Sequence, residues 1–267
     1  MKYIKNLALI AYTISFGINV SLAADTHWTH DPIDQADWGA IEDTSQTTIP
    51  LNFPYAECAI GIHQSPIDLA GKVDALQSNN LTAQYPKDKP DFFNTGHAPQ
   101  VNVSTGYKGK LKIGNDSYPL VQYHLHAPSE HVIGNQTFDA ELHFVHVRAD
   151  GKMAVLGVLL KVGNTNTTLN TILNNQLIAG THNAATGITI YPKSLLPSDI
   201  NHYYTYAGSL TTPPCSEGVN WYVLSTPVEI SSDQLTALKD INMANEGFDY
   251  NNRKPQSINS RIVSGRK

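Results

Sequence analysis

Charge is scarce in this 267-residue chain: only 15% of residues are Asp, Glu, Lys or Arg, and the formal net charge is -5. No run of Lys or Arg appears outside the two ends, so nothing gathers a polyphosphate, which excludes nucleic acid as a partner. Cysteine is equally rare, with Cys58 and Cys215 alone. No internal repeat, low-complexity tract or long Pro/Gly/Ser-rich linker divides the chain, and the His-Glu-x-x-His signature of zinc hydrolases is missing. With 41% hydrophobic residues, the chain suits one well-cored domain.

The one long apolar stretch lies at the start. Lys2 and Lys5 precede a mostly apolar segment, residues 7–20, and Ser21-Leu22-Ala23 supplies small residues for a peptidase. Residues 1–23 therefore read as a signal peptide cleaved after Ala23, leaving a mature domain over 24–267 with no membrane attachment. Export brings oxidising conditions, and two cysteines are an even count that one disulfide can satisfy. Closing so long a loop contributes roughly 4 to 5 kcal/mol in chain-entropy models.

Short apolar or alternating runs at 100–104, 110–113, 120–126, 140–148, 153–162 and 221–225 read as strands, separated by Gly, Pro, Asn and Asp clusters. Helical patterns are few: residues 168–174, and 232–239 with Ser231 or Ser232 as cap. The expected fold is mainly β (α+β), a single domain around a large, twisted, mostly antiparallel central sheet with a few short peripheral helices.

Alternation along two of these strands points to chemistry, since every second residue of a strand shares a face. Gln122, His124 and His126 share one face while Tyr123 and Leu125 take the other; Glu141, His143 and Val145 likewise oppose Leu142 and Phe144. The connection between them holds Pro128, Gly134 and Asn135, so the strands can fold back as antiparallel neighbours. Three imidazoles with a fourth position open form a catalytic zinc set, and Gln122 and Glu141 stand where acceptors for the outer ring N–H groups are needed. His131 and His146 read as structural.

These residues sit within four segments that together resemble the alpha-class carbonic anhydrases: Gln64-Ser65-Pro66-Ile67-Asp68, the stretch from Gln122 to His131 with Ser129-Glu130-His131, the stretch from Ala140 to His146, and Ser209-Leu210-Thr211-Thr212-Pro213-Pro214. The resemblance implies a Zn2+ enzyme that reversibly hydrates carbon dioxide to bicarbonate and a proton by zinc-bound hydroxide attack, with a weak esterase side activity. It implies Thr211 as an orienting hydroxyl that accepts a hydrogen bond from the zinc-bound hydroxide and donates one to the Glu130 carboxylate, and a small apolar substrate wall from Val145, Val155, Leu210 and Trp221, with Thr211 and Thr212 beside it. It implies His97 as the proton shuttle. It further implies periplasmic or secreted placement and a homodimer as one assembly.

Two departures stand out. His27-Trp28-Thr29-His30 resembles a family segment ending in Tyr, so His30 either alters the water network as a second proton acceptor or is an exposed terminal residue. Asn251-Asn252-Arg253-Lys254-Pro255-Gln256 displaces the family's proline by one place, which puts the local turn in question and not the metal.

Overall fold

The computed structural model describes residues 26–43, 52–70, 73–75, 79–176, 178–184 and 187–266; the expected signal peptide and its cleavage position lie outside them. Among the described residues, twelve strands form one sheet. Ten of them run in the order Val73–Ala75, Val263–Arg266, Tyr203–Ser209, Glu217–Ile230, Met153–Val162, Ala140–Val147, Asp116–His126, Pro99–Asn102, Asp91–Asn94, His182–Asn183. Leu81–Gln84 joins through Lys110–Ile113, which pairs with Asp116–His126. Two pairings are parallel, Val73–Ala75 with Val263–Arg266 and Met153–Val162 with Glu217–Ile230; the others are antiparallel. The sheet is thus mostly antiparallel, as expected.

The pleat separates two apolar clusters. Tyr123, Leu125, Leu142, Phe144, Leu156 and Val158 belong to the larger one, which the helices Thr167–Leu173 and Ser232–Glu246 join through Leu169, Ile172 and Leu238. On the opposite face of the sheet Val145, Val155, Val219, Trp221 and Val223 form the smaller cluster with Ile67 and Leu69. Period-two alternation is what lets one strand serve a core on one side and a site on the other.

The C-terminal helix starts at a full capping box: Ser231 Oγ accepts from the Gln234 backbone N–H at 3.2 Å and Gln234 Oε1 accepts from the Ser231 N–H at 3.0 Å. It ends at Glu246, a turn and more beyond the expected residue 239, where Gly247 takes a left-handed φ of 81°. Its buried face carries Gln234, Leu238 and Asn242, so the apolar periodicity that marks a helix fades along its second half.

A disulfide joins Cys58 to Cys215 across a separation of 157 residues, with Cα atoms 5.0 Å apart. It ties the short helix Glu57–Ile60 to the end of the Leu210–Pro214 turn.

Candidate metal centre and its surroundings

Antiparallel register places His124 directly opposite His143, with Gln122 opposite Val145 and His126 opposite Glu141. The next strand puts Gly157 opposite His143 and Val155 opposite Val145. Gly157 leaves room at the crowded point: a Cβ there would stand 3.0 Å from Glu141 Oε1. The three imidazoles converge, with one ring nitrogen of each within 4.8 Å of the others, and His126 and His143 are 1% exposed.

Each ring's other nitrogen is already engaged. His124 Nδ1 lies 2.8 Å from Gln122 Oε1, and His143 Nε2 lies 2.9 Å from Glu141 Oε1. His126 Nδ1 meets the Asn251 backbone carbonyl at 2.8 Å, a partner that strand parity did not supply. The inward nitrogen of His126, Nε2, is buried with no hydrogen-bond partner. Burial holds His124 well below the usual histidine range, helped by His126 and His143, and brings His126 down to about 4. Both rings are therefore neutral, with lone pairs available at neutral pH. Burial also works against a charged His143, but the Glu141 carboxylate and its hydrogen bond outweigh it and the balance is raised.

Glu141 is wholly buried and accepts four times. Oε1 takes His131 Nδ1 at 2.7 Å as well as His143, and Oε2 takes the backbone N–H of Glu130 at 3.0 Å and of His131 at 2.8 Å. Burial alone would raise its pKa; the charge and hydrogen bonds of His131 and His143 overcome this and hold it well below the carboxylate range. His131, expected to be structural, shares this carboxylate with a ring of the centre and continues through Tyr206 Oη at 2.7 Å to Ser65 Oγ. His146 lies apart, bound to Tyr85 Oη at 2.7 Å and the Ala154 carbonyl at 3.1 Å.

Glu130 is also fully buried. Its Oε1 accepts from the Arg253 N–H at 2.8 Å, while Oε2 has no hydrogen-bond partner and lies 3.6 Å from His126 Nε2 and 3.8 Å from His143 Nδ1. Thr211 is 5% exposed, and no hydrogen bond links it to that free oxygen. Val145, Val155 and Trp221 are buried in one apolar cluster with Leu210 packed against it, and Thr212 is half-buried in the turn that follows. The indole of Trp221 meets the His143 ring edge-on at 4.8 Å and donates to the Ser209 carbonyl.

The motif around Ser65 works at a distance. Ser65 and Ser209 exchange two hydrogen bonds, Ser65 N–H to Ser209 Oγ at 2.8 Å and Ser209 N–H to Ser65 Oγ at 3.0 Å. Asp68 accepts from the backbone of Gly134 and Asn135 in the turn between the histidine strands. The segment with the displaced proline holds its place: Arg253 donates to Gln64 Oε1 and the Ser65 carbonyl, and Asn251 binds Ala127, Leu125 and His97.

His97 is not a free loop residue. Its side chain is 25% exposed, its Nδ1 lies 2.6 Å from Glu246 Oε1, and its ring stacks on Trp28 at 3.8 Å. His30 is fully buried, which removes the exposed-terminus alternative; its Nδ1 sits 2.9 Å from the same Glu246 oxygen. Glu246 went unread in the sequence because it falls beyond the expected end of its helix.

The sequence model of the eukaryotic-type carbonic anhydrases matches residues 50–267. The chain belongs to that family, the alpha-class carbonic anhydrases, and is an enzyme of it. It is 34% identical over 256 residues to a carbonic anhydrase of Pectobacterium atrosepticum, covering 95% of this chain and 97% of the relative. A carbonic anhydrase of Neisseria gonorrhoeae is 35% identical over 247 residues, 89% of this chain and 87% of its own length. Among solved structures, the alpha-carbonic anhydrase of Thermovibrio ammonificans in complex with sulfanilamide superimposes with a TM-score of 0.78 at 35% identity, covering 89% of this chain and 98% of that one. Family members are in general metalloenzymes acting on carbon dioxide and bicarbonate, and the histidine group here is able to hold a metal. Among the described residues no helix is long and apolar enough to cross a membrane.

Proposed function

We propose that His124, His126 and His143 hold Zn2+ and that the enzyme reversibly hydrates carbon dioxide at that centre. The observation that carries this is the convergence of three imidazoles, two buried and one half-buried, whose outer nitrogens are all occupied by acceptors. The donor set fits zinc: all-nitrogen, two rings kept neutral by burial, and a buried inward Nε2 without a partner. Bound there, zinc supplies a Lewis acid that makes water nucleophilic near neutral pH, a chemistry of which carbonic anhydrases are the standard example.

The chain's own residues do the rest. Gln122, Glu141 and the Asn251 carbonyl fix the tautomers and aim the rings. Thr211, once its hydroxyl donates a hydrogen bond to the unpartnered Oε2 of Glu130, turns an oxygen lone pair toward the reacting water and so orients it. Val145, Val155, Leu210 and Trp221, with Thr211 and Thr212 at the rim, form an apolar wall that suits an uncharged substrate with little hydrogen-bonding power. His97 takes the proton released in each turnover and passes it to buffer. A weak esterase activity follows from the same nucleophile. Residues 1–23 act as signal peptide, 24–267 as catalytic domain, with periplasmic or secreted placement supported by the disulfide, and assembly as a homodimer.

Metal content of the purified protein and stopped-flow carbon dioxide hydration, before and after a zinc chelator, test the proposal. Bound zinc and loss of hydration on chelation, restored by zinc, are expected. Full hydration in the metal-stripped protein would overturn it.

A further inference from the structure

We propose that Glu246 is a positioning residue for proton transfer, its single carboxylate clamping His97 and the buried His30 together so that His97 relays protons from one fixed tautomer and orientation. This rests on the reading of His97 as the relay.

The carboxylate is 3% exposed and saturated by the two histidines. Oε1 faces His97 Nδ1 at 2.6 Å and His30 Nδ1 at 2.9 Å; Oε2 accepts the His30 backbone N–H at 2.8 Å and faces His30 Nδ1 at 3.0 Å. Burial alone would raise the Glu246 pKa, but the hydrogen bonds from His30 and His97 lower it to about 2, so an ionised acceptor is present throughout the working range. A neutral imidazole has one N–H and one lone pair. With Nδ1–H given to Glu246, Nε2 is the only atom of His97 able to take a proton. It accepts one there to become imidazolium and releases that proton to buffer from the same atom; Nδ1–H stays on the ring and Glu246 stays a carboxylate.

The loop around His97 is held as tightly as the ring. Asn94 and Asn245 exchange a pair of amide hydrogen bonds at 2.9 Å each, fastening the loop to the same helix end that bears Glu246. Asn251 Nδ2 donates to the His97 carbonyl at 3.0 Å, and Trp28 stacks on the imidazole at an interplanar angle of 11°. Burial decides between the two imidazoles on the carboxylate. His30 is 0% exposed and its Nε2 has no hydrogen-bond partner, so it cannot meet buffer; the His97 side chain, 25% exposed, can. His30 forms the back of the clamp.

The test compares His97→Ala, Glu246→Gln and the double variant as zinc-loaded full-length enzymes, measuring kcat at low buffer alongside kcat/KM for carbon dioxide. In Glu246→Gln an amide NH2 replaces one oxygen and faces either the two ring Nδ1 atoms or the buried His30 backbone N–H, so the clamp loses an acceptor together with its negative charge. Each single variant is expected to lose about tenfold or more in kcat, with kcat/KM unchanged and kcat restored by added imidazole. The double variant is expected to match His97→Ala. A loss in His97→Ala with none in Glu246→Gln overturns the clamp while the relay stands. A further loss in the double variant overturns it too, since Glu246 would then act independently of His97. No loss in His97→Ala removes the relay reading and the clamp with it. Should Glu246→Gln fail to fold, Glu246→Asp, which draws the carboxylate back by one methylene, is expected to show the same split between kcat and kcat/KM.

Discussion

Glu141 shows how much one side chain carries at this centre. Its two oxygens accept from His131, His143 and two backbone N–H groups, so any substitution that turns an acceptor into a donor leaves a buried N–H facing another. Glu141→Gln is expected to weaken zinc binding about 10- to 100-fold, read by competition with a chromogenic chelator. Unchanged affinity would mean that the carboxylate does not aim the ring. Val145, on the same strand face as Glu141 and His143, tests the apolar side of the centre. Placed across from Gln122 on one side and Val155 on the other, it has no polar duty. If the proposed centre holds zinc, Val145→Tyr is expected to retain the metal and lose most hydration by filling the proposed substrate wall; full activity with zinc intact would show that the substrate binds elsewhere.

At the scale of the element, the helix Ser232–Glu246 joins stability to the site. Its start is specified locally by the Ser231 and Gln234 capping box, and its end sets a carboxylate between two histidines. Because the folded pKa of Glu246, about 2, lies below the ordinary 4.5, the folded state binds fewer protons than the unfolded chain between those values. Its contribution to stability is present above about pH 4.5 and is lost as pH falls toward 2. Denaturant unfolding across that window should show a shallower acid decline for Glu246→Gln than for the parent protein. Equal slopes would mean that the carboxylate is not held low. The two histidine strands show the complementary case, where position is set by register. Parity alone placed His124, His126 and His143 on the faces turned away from Leu125, Leu142 and Phe144, and the observed pairing sets His124 opposite His143.

Across the whole molecule, the disulfide and the Ser65–Ser209 exchange bring the amino-terminal segment against the turn that carries Thr211. Removing the bridge by Cys58→Ser with Cys215→Ser is expected to cost about 2 to 5 kcal/mol, measured by urea unfolding, because the open unfolded chain regains the entropy of a long loop. A cost near zero would place the constraint in the hydrogen bonds alone.

The strand limits at Lys110–Ile113 and Met153–Val162, a cap at Ser231 or Ser232 and the shared face of the histidines on each of their strands were all legible in the sequence, because each depends on alternation or capping within a few residues. The Asn251 carbonyl on His126, the shared Glu141 between His131 and His143, the space left by Gly157 and the clamp of His30, Glu246 and His97 were not. Each joins atoms from separate elements, often more than a hundred residues apart, and a backbone carbonyl or a missing Cβ leaves no mark in residue type. Local patterning thus determined which residues could bind a metal, while tertiary packing decided which acceptors hold them and which histidine still reaches solvent.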